Sequence, residues 1–312
     1  MAVIVCFQET VIGDIYFALS FVVSILMQTK PELSSFYTLG FQKLPFCIPA
    51  DLLSRLRELF DELMDPADPH EKGIQEYGGR QYVTNLECIC RKGNLAALEL
   101  LGYPPILEIA AAICGPDFFM IQEFAVIKNR GDELPVLWHQ DMLHERKGDC
   151  LTMGIYLDDV EQGDGALRVV PGSHLDGRSI CELSKEPFIE ISARTGEILI
   201  HDMMLAHSSE PMRINPLRRV VYFEFLSAAH VRAEQIYTEE LVHRRRRLIF
   251  AASRYYESLH PDEAKFVHTG REEADQDKDL TAILAAIYAE HINARPSTYC
   301  LEFQPGATIL PK

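Results

Sequence analysis

"DFFMIQEFAVIKN", residues 117–129, is where this chain changes its texture. The run is built from large apolar and β-branched residues broken by single polar ones. More segments of the same kind follow: "LTMGIYLDDV", "GALRVVPGSH", "PFIEISA", "GEILIHDMMLAHSS" and "RRVVYFEFLSA". Each is short, and Gly, Pro, Asn or Asp punctuates the gaps between them. Short strands at such spacing predict a double-sheet β-sandwich or barrel, of which the jelly roll is the commonest form to host an enzyme.

The flanks read differently. "ADLLSRLRELFDELM", residues 50–64, has apolar residues at 52, 53, 56, 59, 60 and 63, which is helical spacing. Residues 94–114 predict two helical pieces broken at Pro104 and Pro105. "SSFYTLGFQKLPFCIP", residues 34–49, reads as a short strand entering a turn. Helices return over 238–258 and 279–292. With no internal repeat, low-complexity tract or Pro/Gly/Ser-rich linker, the expectation is a mainly β protein with flanking helices. One domain spans residues 31–312, with its jelly-roll core at about 117–230.

Composition narrows the function. Apolar residues at 47% and charged residues at 24% give the balance of a folded chain rather than a disordered one. A net charge of -16 argues against nucleic acid as the main partner, because a phosphate surface repels it. The local exception, "HRRRR" at 243–247, reads as the solvated face of a helix. Eight cysteines form no CxxC pair and no zinc-like spacing, so they read as buried or incidental thiols of a reducing compartment. Cys88 and Cys90 are expected to alternate in an extended stretch.

Residues 15–28 are apolar for only 14 positions, bracketed by Asp14 and Lys30, whereas a membrane span needs about 20. Acidic rather than basic residues precede this run, which argues against a signal peptide. Residues 1–30 are therefore set apart as an extra helix or as chain ahead of a natural start at Met27. The expected location is cytoplasmic, without membrane attachment. Monomer and homodimer stay open.

The chemistry is concentrated in "VLWHQDMLHERK", residues 136–147. On an extended strand residues i and i+2 share a face, so His139 and Asp141 point together and Gln140 points away. A second histidine from another strand completes a 2-His-1-carboxylate facial triad, the ligand set of non-haem Fe(II) oxygenases. The candidates are His144 in a charged loop, His174 in the "PGSH" turn, His201 after the strand "EILI", and His207. His207 ends an apolar run and is followed by the small Ser208 and Ser209, which leave room for a ligand. Eleven residues beyond it, Arg218 opens a further strand. A guanidinium there suits a dicarboxylic cosubstrate, whose remote carboxylate it grips with two parallel hydrogen bonds.

Taken together, "WHQD", "DGALRVVPGSH", "GEILIHDMMLAHSS" and the arginine eleven positions after His207 make the chain resemble the phytanoyl-CoA dioxygenase (PhyH) family of Fe(II)/2-oxoglutarate-dependent oxygenases. The resemblance covers roughly residues 117–230 and implies a double-stranded β-helix, cupin-like core. It implies that His139, Asp141 and His207 are the iron ligands and act in catalysis. It matches Arg218 to the residue that binds the distal carboxylate of 2-oxoglutarate, with Arg219 as its neighbouring rival on the strand. Lys128 matches a lysine that some members use for the same cosubstrate. Ser209 matches a small polar position that helps hold it, and the turn with Ser173 and His174 is expected near the pocket. Asp141 favours oxygen insertion over halogenation, because related halogenases carry a small residue there.

The expected function is thus a dioxygenase using Fe(II), 2-oxoglutarate and O2. It hydroxylates a C–H bond of a small organic molecule and releases succinate and CO2. Two alternatives stand beside it: a non-catalytic β-sandwich that binds a small ligand, and a cupin-type dioxygenase that needs no 2-oxoglutarate. Substrate-contacting segments are expected near 72–92, 142–150 and 230–242, with Arg80, Tyr82, Asn85 and Arg91 as candidates.

Overall fold

In the computed structural model the described residues are 32–66, 71–142, 149–235, 237–269, 279–290 and 297–302. The apolar run at 15–28, His144 and most of the 142–150 segment lie outside them. The chain divides into a unit of residues 1–34 and one of residues 35–312, and the second holds both sheets.

Alternating side chains with short turns give antiparallel pairing throughout. The larger sheet runs in the order β1 (Phe41–Cys47), β9 (Glu197–His201), β6 (Cys150–Tyr156), β11 (Leu217–Leu226), β4 (Phe119–Asn129), β3 (Arg80–Glu87) and β2 (Lys72–Tyr77). The smaller runs β12 (Thr298–Tyr299), β5 (Val136–Gln140), β10 (His207–Ser209), β7 (Leu167–Val169) and β8 (Ile189–Ile191). One apolar cluster takes Phe124, Tyr156, Leu199, Val220 and Tyr222 from the larger sheet and Leu167 and Val169 from the smaller. The two sheets therefore face each other across a shared core, as the strand pattern predicts.

β6 and β11 sit mid-sheet, and nearly every residue in them is buried. Their outer faces are covered by helices, which is why they read as continuous apolar runs rather than as alternating ones. The flanking helices are α1 (Ser34–Leu39), α2 (Ala50–Leu63), α3 (Ala96–Gly102), α4 (Pro104–Cys114), α5 (Ile180–Leu183), α6 (Ala228–Glu234), α7 (Glu239–Leu259) and α8 (Leu280–Ile287). The expected break at Pro104 and Pro105 is present: α3 and α4 meet at 53°. Among the described residues no single helix is long and apolar enough to cross a membrane.

The structure corrects several local expectations. Residues 34–39 are helical, and the strand begins only at Phe41 after Gly40, whose φ is 84°. Cys88 adopts a left-handed conformation (φ 53°) ahead of a 3-10 turn over Ile89–Arg91, so it does not alternate with Cys90 along a strand. The "HRRRR" stretch is not a wholly solvated face, because helical spacing turns Arg245 inward with Val242, Leu248 and Ile249. There its guanidinium pairs with the buried Glu123 of β4 and donates from Nε to the Met120 carbonyl at 2.9 Å. The cysteines are not all free thiols either. Cys181 on α5 and Cys300 beside β12 form a disulfide across 119 residues of sequence, a pairing that no local spacing announces.

Candidate metal centre

His139 on β5 lies directly opposite His207 on β10 in the antiparallel register, so the two strands alone bring both rings to one place. Asp141 follows two residues after His139, and its backbone N–H donates to the Met203 carbonyl at 2.8 Å, which prolongs the extended path. Gln140 turns away and donates to the Met204 carbonyl at 2.6 Å. The ring centroids of His139 and His207 are 4.0 Å apart. Asp141 Oδ1 lies 3.5 Å from His139 Nε2 and 3.8 Å from His207 Nε2. One ligand atom from each residue falls within 4.8 Å of the others, and all three residues are buried.

The hydrogen bonds around the triad define which atoms face its centre. His139 Nδ1 is 2.7 Å from the Leu137 carbonyl, and His207 Nδ1 is 2.8 Å from the Leu205 carbonyl. A carbonyl only accepts, so both Nδ1 atoms carry a proton and the Nε2 atoms are the ones turned inward. Thr152 on β6 donates to Asp141 Oδ2 at 2.9 Å, leaving Oδ1 for the centre. Burial, and then the neighbouring His139, hold the His207 ring well below the ordinary histidine range. A neutral ring is the form a metal needs.

His201, a candidate ligand from its sequence context, sits just behind this centre. Its ring is 4.6 Å from that of His207, and Nδ1 is 4.0 Å from Asp141 Oδ2. Cross-strand pairing with Thr152 puts both residues on the outer oxygen of Asp141. His174 is elsewhere: its Nε2 is 3.2 Å from the Tyr37 carbonyl, and it does not line the cavity. Ser173 of the same turn does matter, because its hydroxyl accepts the Ala206 backbone N–H at 2.9 Å and pins the approach to His207.

A cavity of about 120 Å³ opens beside the three residues. Arg218 lies in its wall, 2% exposed, and donates to the Gly165 carbonyl and, at 3.2 Å, to the Tyr222 hydroxyl. Its Nε has no partner among the described residues, so a buried cationic donor is left for an incoming anion. Arg219 faces the other way and is committed to Asp158 and Asp61. Two glycines make this geometry fit. Gly165 has φ 75°, and a Cβ there would sit 2.4 Å from the Met212 sulfur. A Cβ at Gly154 would sit 2.9 Å from the ring of Tyr222, its cross-strand partner.

Lys128 pairs with Arg218 across β4 and β11, but its ammonium donates to the Ser209 and Glu210 carbonyls at 3.2 and 2.5 Å and does not line the cavity. Burial, followed by the charge of Arg218, pushes the Lys128 amine well below the ordinary lysine range. Ser209 does line the cavity.

The rest of the wall carries residues that the sequence did not single out: Thr84, Gln122, Phe124, Tyr222 and Tyr299. Of the four candidates between 72 and 92, Asn85 lines the cavity, whereas Arg91 is spent on Glu71. Alternation along β4 was the available signal for Gln122 and Phe124; nothing local marks Tyr299.

A jelly roll in which two histidines and one carboxylate converge beside a cavity defines a scaffold with a candidate metal-binding triad. The family model for phytanoyl-CoA dioxygenase (PhyH) matches residues 36–220, and the chain belongs to that family. It is 27% identical to L-proline trans-4-hydroxylase from Streptomyces griseoviridis over 36% of this chain and 41% of the relative. It is 28% identical to a probable alpha-ketoglutarate-dependent hypophosphite dioxygenase from Stutzerimonas stutzeri, over 30% of this chain and 40% of the relative. The chain thus spans about two fifths of the length of these curated relatives. In fold it is similar to the crystal structure of AviO1 from Streptomyces viridochromogenes Tue57. The TM-score is 0.57 at 23% identity, covering 64% of this chain and 94% of that one.

Proposed function

We propose that this chain is an Fe(II)/2-oxoglutarate-dependent dioxygenase that hydroxylates a C–H bond of a small organic molecule. The observation that carries the reading is the convergence of Asp141 Oδ1 with His139 Nε2 and His207 Nε2 in a buried pocket, next to an arginine with an unpartnered donor. These donors suit iron: two imidazoles and one carboxylate converge beside the cavity. Fe(II) bound there, with 2-oxoglutarate and O2, supplies the oxidising power to break a C–H bond while the cosubstrate becomes succinate and CO2.

The chain's own residues supply position. Arg218 holds the distal carboxylate of 2-oxoglutarate through a guanidinium already oriented by Gly165 and Tyr222. Ser209 lies beside that carboxylate, and Lys128 acts from behind by holding the Ser209 and Glu210 backbone. Thr152 keeps Asp141 turned so that one oxygen faces the metal. Phe124, Val126, Leu137 and Leu167 give the cavity an apolar wall that excludes water from the reacting atoms.

Substrate enters against Thr84, Asn85 and Gln122. The Oε1 of Gln122 has no partner among the described residues and asks for a hydrogen-bond donor. Among the described lining residues the charged or ionisable groups at the metal end are already assigned, so a small neutral molecule or one bearing a donor group fits best. The relatives' named substrates, L-proline and hypophosphite, are too unlike each other to choose further.

The test is substrate-triggered succinate formation by the full chain with Fe(II) and 2-oxoglutarate across small-molecule classes. Turnover that depends on His139, Asp141 and His207 is the expected result. An Asp141→Ala enzyme with undiminished substrate-dependent turnover would exclude this site.

A further inference from the structure

The C-terminal strand β12 is only two residues long, yet it lies alongside the strand that carries the first histidine of the triad. Thr298 pairs with Gln140 and Tyr299 with His139. The Cys300 N–H donates to the Trp138 carbonyl at 2.9 Å, and the Thr298 hydroxyl donates to the Met142 carbonyl at 3.3 Å. A two-residue strand on a sheet edge needs a tie to stay in place. The tie is the Cys181–Cys300 disulfide, which joins β12 to α5. Around the bond, Ile180 and Leu183 of α5 pack with Trp138, Val170 and Ala206 in one buried cluster.

This arrangement delivers one aromatic ring to the candidate metal centre. The ring of Tyr299 stacks on that of His139, with centroids 4.9 Å apart and planes inclined by 15°, and it also lines the cavity. The Leu137 carbonyl holds His139 at Nδ1, and a flat ring stacked on its face restricts rotation of the imidazole about that bond. We propose that Tyr299 is a positioning residue for the metal site. Stapled by Cys181–Cys300, it fixes the plane of His139 and so the direction of its Nε2 lone pair. The inference rests on the proposed iron-site reading.

The experiment titrates Co(II), in place of Fe(II), into the metal-free full chain without substrate or oxygen chemistry. It follows Co(II) absorption for affinity and the thermal midpoint of the apo-protein for stability. Wild type is compared with Tyr299→Phe, Tyr299→Ala, Tyr299→Leu, Cys300→Ser and His139→Ala. Tyr299→Phe keeps the ring and is expected to bind within about threefold of wild type. Tyr299→Ala and Tyr299→Leu are expected to weaken binding roughly tenfold, the lower end for loss of a group that orients a metal ligand. They should also broaden the absorption bands. Cys300→Ser is expected to shift affinity the same way by about threefold or more.

Affinity unchanged in both Tyr299→Ala and Tyr299→Leu overturns the proposal, while a loss in Tyr299→Phe equal to that in Tyr299→Ala overturns the role of the ring face. Should Tyr299→Ala fail to fold, Tyr299→Leu decides. Unchanged affinity in Cys300→Ser overturns the staple. If wild type and His139→Ala bind alike, the metal site itself is wrong and this inference goes with it. That outcome is distinct from a site lost in His139→Ala but indifferent to Tyr299.

Discussion

Replacing Arg218 by methionine tests the cosubstrate end of the site, because methionine fills much of the same volume without a charge. Arg218 is 2% exposed, so a carboxylate meeting its fork is shielded from water on both sides. Hydrogen bonds to charged groups are worth about 1.5–3 kcal/mol each. Losing a two-bonded grip therefore costs at least about 3 kcal/mol, or roughly 150-fold in 2-oxoglutarate affinity at 1.36 kcal/mol per tenfold. Lys128 does not take its place, since its ammonium is turned to the Ser209 and Glu210 carbonyls.

The substitution also strips donors from the Gly165 carbonyl and the Tyr222 hydroxyl, so some stability goes with it, about 1–3 kcal/mol. Arg219→Met is the control that separates the two effects. It breaks the pairing with Asp158 and Asp61 on the opposite side of the strand, so stability falls by a similar amount. Its 2-oxoglutarate affinity stays within about threefold, the scatter expected for a residue that does not touch the ligand. Anaerobic calorimetric titration of 2-oxoglutarate into the Fe(II)-loaded enzyme reads affinity, and urea unfolding reads stability. A folded Arg218→Met enzyme that binds 2-oxoglutarate within threefold of wild type, or an Arg219→Met enzyme that loses it, refutes the assignment.

Two further substitutions probe the supports. Thr152→Val removes the hydrogen bond to Asp141 Oδ2, so metal affinity should fall about tenfold and stability by about 1–3 kcal/mol, because a buried carboxylate oxygen loses a donor; wild-type affinity in a metal titration contradicts that role. Asp164 accepts from the backbone of Arg213, Ile214 and Asn215 and from the Asn215 side chain at 2.6–2.9 Å, which shapes the turn ahead of β11. Burial raises its pKa, but those donors outweigh burial and hold the carboxyl below its usual range. Asp164→Ala should therefore cost about 3 kcal/mol at neutral pH. A depressed folded pKa contributes stability above the unfolded value near ~3.9, and that contribution disappears as pH falls through the folded value. The deficit of Asp164→Ala against wild type should thus stay constant above about pH 5 and shrink below about pH 4. Urea unfolding across that range checks it, and a deficit that grows on acidification contradicts it.

Much of the fold was legible because strand periodicity and helix spacing are local properties. The core strands from β4 onward, the α2 helix and the break between α3 and α4 follow from short local runs, whereas β2, β3 and β12 were not legible as strands. Errors came where a partner distant in sequence decides what a local pattern becomes. Arg245 looked solvated until Glu123 was seen to face the same helix from β4. Cys181 and Cys300 looked incidental because 119 residues separate them. Ser34–Leu39 carries β-favouring Phe and Tyr, yet Phe36 buries itself by helix formation and Gly40 ends the turn.

The candidate site divides along the same line, and the division explains why a sequence can mark the candidate ligands but not the pocket around them. Each histidine is oriented by the carbonyl two residues before it: Leu137 on the same strand for His139, and Leu205 in the bend just ahead of β10 for His207. The hold on each ring at Nδ1 is therefore set within three consecutive residues. The register that sets one ring opposite the other needs only a single antiparallel pairing. Everything that refines this core comes from remote chain: Thr152 turns the carboxylate, His201 backs it, and Gly165 and Tyr222 aim Arg218. A short motif can thus specify what binds at the centre, whereas what enters beside it depends on Thr84, Asn85, Gln122 and Tyr299, which only the closed sandwich brings together.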